Sequence, residues 1–292
     1  MASSSSKVNI KLTGVPETAV YTLWIKAQES LQPDSKLHDK WAIDALNLIE
    51  DYDFSKFALG TPTTLVVPLR SKTFDKWTTS FLDSHDSATV VNLACGLESR
   101  ALRVLPSYPK LRWVDVDLPD MVALRQQLLP SPDGDYTLLG ASVTDHEWLK
   151  TIPADRPTLV LAEGLVMYLN EPDVHSLIRR LVDRFDSGQL IFDTVGSFSL
   201  PMQHLLDFLK NTNSSFAMGI DDHRAIEKLD PRIQLRQVVR HADYEGFHEL
   251  PARLRVSFWV GWYIPWVRNL QAIARYDFGS VESKGPKEAS RL

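Results

Sequence analysis

From residue 88 onward the chain repeats one pattern five times, a short apolar run followed by a stretch with helical spacing of apolar residues. The runs fall at 88–94, 111–117, 136–141, 157–163 and 188–195, and the helical stretches at 97–104, 119–129, 144–150, 171–185 and 199–211. Strands covered on both faces read as continuous apolar runs, and strand-helix-strand units return to one sheet in parallel. The pattern predicts an α/β fold with a mostly parallel sheet and helices on both faces. After residue 212 the rhythm loosens. Residues 221–229 predict a helix, 233–240 a strand, 251–267 a mostly apolar helix and 271–278 a last strand, which brings the sheet to seven strands. In such sheets ligands bind beyond the carboxyl ends of the strands, where the strand order reverses. Ala94, Gly96, Asp117, Ser142, Val143 and Glu163 all fall at that edge.

The first strand runs directly into a small-residue turn, Ala94-Cys95-Gly96, and then a helix. A residue without Cβ lets the backbone approach a ligand closely, and the free N–H groups of the following helix face that ligand. Asp117 closes the second strand about twenty positions past Gly96, a spacing that suits a carboxylate accepting both hydroxyls of a ribose. The dinucleotide pattern G-x-G-x-x-G is not met, because Ala94 holds its first position and Ser99 its last. A nucleoside ligand without a pyrophosphate, such as S-adenosylmethionine (SAM), needs only the close approach and the acid. An ordinary strand-turn-helix corner with a solvated acid is the competing reading.

The fourth strand carries one acid, Glu163, at its exit. A carboxylate at that depth needs a partner, either the ammonium of an amino-acid-like ligand or a neighbouring loop. Tyr168 and Met167 follow on the substrate side and are equally acceptable as core. Arg70, at the entry to a helix ending near Asp83, offers a two-pronged partner for a ligand carboxylate; a surface arginine is the alternative. Cys95, the only cysteine, reads as a small packing residue and fits a reducing compartment. No metal is called for.

Residues 16–32, with Val20, Leu23, Trp24 and Ala27 on one stripe, and 39–50 predict helices outside the repeat. The expected division is a disordered tail over 1–15, a helical cap and substrate lid over 16–84 and the sheet domain over 85–292. Residues 1–7 lack the apolar core of a signal peptide. The aromatic run 256–267 is too short to span a bilayer and is broken by Pro265, which favours a buried wall over a membrane anchor. A formal charge of −5 with no basic block argues against nucleic acid and anionic membranes as partners.

Several segments together resemble the leucine carboxyl methyltransferase superfamily of class I SAM-dependent methyltransferases, and within it the polyketide O-methyltransferase branch. They are Pro33-Asp-Ser-Lys-Leu-His-Asp-Lys-Trp-Ala, Asp51-Tyr-Asp-Phe-Ser-Lys, Arg70-Ser-Lys-Thr-Phe-Asp, Val91-Asn-Leu-Ala-Cys-Gly-Leu-Glu-Ser-Arg, Trp113-Val-Asp-Val-Asp-Leu-Pro, Ala141-Ser-Val-Thr-Asp, Ala162-Glu-Gly-Leu-Val-Met-Tyr-Leu and Ile191-Phe-Asp-Thr-Val. The resemblance implies a Rossmann-like seven-stranded fold with an N-terminal helical cap. It implies that Arg70 pairs with the SAM carboxylate, that Gly96 with Ala94 and Cys95 lines the methionine moiety, and that Asp117, with Leu118 beside it, holds the ribose. Ser142 and Val143 would lie along the adenine and Glu163 near the amino group. The chain departs from the family at Ala94, usually glycine, at Glu98, usually aspartate, and at Ser142, aspartate in the protein-modifying members. Lys26 and Lys36 both compete for a cofactor-side lysine of that branch.

The function expected is a cytoplasmic SAM-dependent O-methyltransferase, with S-adenosylhomocysteine (SAH) as product, acting on a carboxylate or phenolic hydroxyl of an aromatic or polyketide-like metabolite. Tyr168 and Trp24 are the candidate acceptor contacts. Tyr168, His204, His223 and His241 are candidate bases, with none assigned. Protein C-terminal carboxyl methylation, and a SAM-fold protein without methyl transfer, are the alternatives.

Overall fold

The computed structural model describes residues 7–10, 13–57, 62–250, 252–253, 255–256 and 270–279. Its strands are β1 (Val8–Asn9), β2 (Ile49–Glu50), β3 (Thr89–Leu93), β4 (Arg112–Asp117), β5 (Asp135–Gly140), β6 (Thr158–Ala162), β7 (Ser187–Val195), β8 (Gln234–Arg240) and β9 (Gln271–Gly279). Its α-helices are α1 (Glu17–Ser30), α2 (Lys40–Leu48), α3 (Pro62–Leu82), α4 (Arg100–Val104), α5 (Pro119–Leu128), α6 (Glu147–Lys150), α7 (Glu171–Arg184), α8 (Ser199–Met202) and α9 (Asp207–Asn211).

Seven strands make one sheet in the order β5-β4-β3-β6-β7-β9-β8. The strands from β5 to β7 are parallel, and β9 runs antiparallel to both its neighbours. Every residue of β3 and of β6 is buried, as central parallel strands require. The chain leaves β3 toward β4 and β5 on one side and resumes at β6 toward β7 on the other. The strand order therefore reverses between β3 and β6, and a crevice opens there.

Alternation along β3 divides the core. Val91 faces Trp148 and Leu149 of α6 and the stripe Val174, Leu177, Ile178, Leu181 and Val182 of α7. Val90 faces Phe74, Trp77 and Phe81 of α3 and Ala101 and Val104 of α4. The start of α7 is set locally. Asn170 caps it by accepting from the Asp173 N–H at 3.0 Å, Pro172 occupies the first turn, and Glu171 and Asp173 oppose the helix dipole there.

Five expectations need correction. Residues 8 and 9 are not tail: they pair in parallel with Ile49 and Glu50, and Val8 packs with α1 and α2. The 16–84 boundary puts α3 in the cap, yet α3 is a layer of the sheet domain, because its Phe74, Trp77 and Phe81 share a core with Val90, Leu159 and Leu161. Arg70 lies within α3, two residues past the internal Pro68, and not at the helix entry. The expected helix 199–211 is broken into α8, a 3-10 turn over 203–205 and α9, with extended backbone at Leu206. Its apolar residues mimic helical spacing while serving different surroundings, since Leu206 and Phe208 face a cavity, Leu209 is buried and Met202 is exposed. The expected helix 221–229 is a 3-10 helix over His223–Leu229. Most of the expected helix 251–267, with Trp259, Trp262 and Trp266, lies outside the described residues.

Candidate active site

The turn after β3 uses left-handed backbone twice, at Ala94 and at Gly96, each with φ of 49°. At Gly96 a Cβ would stand 3.1 Å from the Ala19 Cβ of α1, so the glycine lets the cap helix settle on the turn. At Ala94 the same conformation is held by a residue with a side chain, at a cost of about 1–2 kcal/mol. This gives a physical meaning to the alanine in a place where glycine is usual. Arg125 of α5 secures the turn from beneath. One terminal nitrogen donates to the carbonyls of Gly96 and Glu98, and the other meets the buried Asp115.

Asp117 stands at the carboxyl end of β4. One oxygen accepts from the Gly96 N–H at 2.6 Å and the other from the Leu118 N–H at 2.7 Å. Burial raises its pKa, against the opposing pull of those two donors. This carboxylate is aimed, partly desolvated and able to accept more hydrogen bonds, which are the properties a vicinal diol requires. Beside it, just past the end of the neighbouring β5, Ser142 shares a hydrogen bond with Thr144 at 2.7 Å, and Val143 is buried.

Glu163, past the end of β6, is the centre of a charge network. One carboxylate oxygen accepts from Arg70 at 3.1 Å and from Ser71 at 2.7 Å, and the other accepts from Arg100 at 2.6 Å. Arg70 also donates to Asp193 of β7 at 2.8 Å, and Asp193 takes the Gly164 N–H at 2.6 Å. Burial alone would raise the Glu163 pKa, but Lys26, Arg100 and Arg70 outweigh it and hold it at about 2. Lys26 of α1 bonds Glu98 and stands 3.9 Å from Glu163, whereas Lys36 pairs with Glu249 elsewhere. Of the two lysines in question, Lys26 is therefore the one at the crevice.

These groups border one cavity of about 920 Å3. Arg70, Ala94, Cys95, Gly96, Asp117, Leu118, Ser142, Val143, Glu163 and Tyr168 all line it. Its volume lies near the upper end of ligand pockets, enough for more than one small molecule. Away from the strand ends the wall turns aromatic, with Tyr21, Phe57, Tyr168, Phe208 and Phe216. Trp24, expected to face the acceptor, does not line the cavity. It is buried in a cluster with Tyr21, Ile25, Phe57 and Val67, and Tyr21, three residues earlier on α1, faces the cavity in its place. Burial raises the Tyr168 pKa, so its hydroxyl keeps its proton. Of the candidate histidines only His241 lines the cavity; burial lowers its pKa to about 4. His204 bonds the Pro201 carbonyl and His223 meets Thr194 at 3.0 Å. The sequence reading missed Arg125, Asp115, Arg100 and Asp193. Its one available signal was charged residues interrupting apolar strands at Asp115 and Asp193.

Fold and site together define a class I SAM-dependent methyltransferase. The same architecture occurs in a crystal structure of a Thermobifida fusca protein assigned to the methyltransferases, with a TM-score of 0.56 at 16% identity, covering 88% of this chain and 94% of that one. A DUF574 family protein of Streptomyces avermitilis superposes with a TM-score of 0.55 at 14% identity over 89% of this chain and 97% of that one. Residues 37–182 match the leucine carboxyl methyltransferase family model, and the chain belongs to that family. It is 37% identical over 273 residues to the tetracenomycin polyketide synthesis O-methyltransferase TcmP of Streptomyces glaucescens, covering 92% of this chain and 98% of TcmP. It is 33% identical to the SAM-dependent methyltransferase dpfgK of Gibberella zeae, over 80% of this chain and 85% of that protein.

Proposed function

We propose that the protein transfers the methyl group of SAM to a carboxylate or phenolic oxygen of a flat, apolar metabolite of the polyketide type, and that it does so in the cytoplasm. The observation that carries this reading is a single cavity, with an aimed acid, a left-handed turn and a buried charge network at the strand ends and an aromatic wall beyond. The name of TcmP supports the acceptor class.

Bound SAM supplies an electrophilic methyl on a sulfonium. Asp117, fixed by the Gly96 N–H, takes the ribose hydroxyls. Leu118, Ser142 and Val143 flank the base. Arg70 pairs with the carboxylate of the methionine moiety, Glu163 with its ammonium, and Ala94, Cys95 and Gly96 shape the wall between them. In-line transfer asks chiefly for alignment, which can supply about 7–11 kcal/mol. A carboxylate acceptor is already ionised at neutral pH, whereas a phenol gains from a base. The protonated Tyr168 hydroxyl orients the acceptor. The helix α1, with α2 packed against it, forms the cap over this chemistry.

Calorimetric titration with SAH on wild type and Asp117→Ala tests the cofactor half. The expected result is micromolar binding that collapses in the variant. Mass analysis after incubation with SAM and aromatic acids, phenols or a peptide ending in leucine tests the acceptor half. A gain of one methylene on the aromatics supports the reading, preferential methylation of the peptide replaces it with protein carboxyl methylation, and binding without transfer replaces it with a non-transferring role.

A further inference from the structure

Three lysine and arginine side chains line the cavity among the described residues: Lys26, Arg70 and Lys56. Lys26 and Arg70 belong to the charge network around Glu163 and Glu98 at the strand ends. Lys56 stands apart. It ends a 3-10 turn over Phe54–Lys56, and its ammonium lies 4.4 Å from the Tyr52 ring centroid and 5.4 Å from that of Phe57. It meets Glu17 at 2.5 Å, and the same Glu17 oxygen accepts from the Tyr52 hydroxyl at 2.7 Å. The Lys56 side chain is 27% exposed, against 5% for Lys26.

From Lys56 a continuous line of rings leads toward the strand ends. Phe57 lies 4.7 Å from Tyr21, and Tyr21 stacks on Phe208 at 5.4 Å with 8° between the planes. Phe208 lies 6.3 Å from Phe216, and Phe216 lies 5.6 Å from Tyr168, five residues past Glu163. An elongated flat molecule is the ligand that such a wall fits best. A cation at its far end, already leaning on aromatic faces and sharing its one carboxylate partner with a tyrosine, has donors left for a second anion.

We propose that Lys56 reads the far end of the acceptor, binding an acidic oxygen on the edge opposite the methylated one while the ring system lies along Phe57, Tyr21, Phe208 and Phe216. This inference rests on the proposed function. It goes further in requiring two oxygen groups at opposite ends of the acceptor, the outer one anionic. The competing role for Lys56 is purely structural, tying the 3-10 turn to α1 through Glu17.

The test uses the full chain loaded with SAH, whose own binding is measured first. Anthraquinone-2-carboxylate and its neutral carboxamide are then titrated calorimetrically. Wild type is expected to prefer the carboxylate. Lys56→Gln is expected to weaken the carboxylate about tenfold, as the loss of one charged hydrogen bond does, and to leave the carboxamide and SAH unchanged. Glu17→Gln, which removes the competing anion, is expected to tighten the carboxylate. A purely structural Lys56 would make both variants weaken both ligands. Equal effects on the two ligands, no effect of Lys56→Gln, or no carboxylate preference in wild type overturns the inference while SAH binding preserves the methyltransferase reading. Failure to bind SAH overturns both.

Discussion

The guanidinium of Arg125 donates to the carbonyl of Gly96 at 2.9 Å, from a helix that begins only after the next strand. The turn at the strand-end side of the cavity is thus held by a group 29 residues away, itself neutralised by Asp115 at 2.8 Å. Asp115 also accepts from Asn92, Trp113 and Tyr136. Removing Arg125 leaves this fully buried carboxylate without its counter-charge. Arg125→Met is expected to lower stability by about 3–5 kcal/mol in denaturant unfolding and to abolish SAH binding.

Ala94 carries the opposite sign. Relief of its left-handed strain exceeds the added flexibility of an unfolded glycine, so Ala94→Gly is expected to stabilise by roughly 0.5–1 kcal/mol. Calorimetric melting should rise by about 2 °C. A lower melting temperature would show that the methyl packs favourably enough to offset the backbone.

Glu163 titrates at about 2, below the ordinary carboxylate value, because Lys26, Arg100 and Arg70 overcome the effect of its burial. A depressed acid lends stability above its unfolded pKa and loses it as pH falls toward the folded one. The wild type is therefore expected to lose stability relative to Glu163→Gln between about pH 4.5 and 2, and the two unfolding curves should run parallel above that window. At neutral pH the variant should bind SAM at least tenfold more weakly, since three cations lose their shared partner.

His223 and His241 both have their pKa lowered to about 4 by burial. A depressed histidine lends stability that is complete above about pH 6.5 and lost as pH falls through 4. In NMR titration neither imidazole should protonate above pH 5, and the methylation rate should show no inflection from His241 between pH 6 and 8.

Phe208 stacks on Tyr21 in the aromatic wall and belongs to none of the strand ends. Phe208→Ala is expected to raise the acceptor KM about tenfold and to leave the SAH Kd unchanged. Parallel losses in both would place the cofactor against α9 as well.

Periodicity carried much of this in the sequence. Continuous apolar runs such as those of β3 and β6 are covered on both faces, and the regular strand-helix alternation places the crevice and brings Gly96, Asp117 and Glu163 to one edge. The short-range signals at α7 and at the turn were equally readable. What stayed hidden is interaction between distant residues. Arg70 and Asp193 are 123 positions apart, and nothing local marks either as the partner of the other. Tyr21 and Trp24 illustrate a second limit, since two aromatics three residues apart share a helix stripe and only tertiary packing decides which one meets the cavity. The broken 199–211 segment illustrates a third, because residues that line a ligand space are apolar for the ligand and imitate a core face.

Asp39 caps α2 and at the same time accepts from Ser99 at 2.5 Å and Arg103 at 2.8 Å, while Lys26 of α1 is bonded to Glu98. The helix α1, whose residues line the cavity, and α2 packed against it are thereby both tied to the segment that starts α4. Cap and turn are thereby one unit, and loosening either helix would disturb the turn at the strand ends as well.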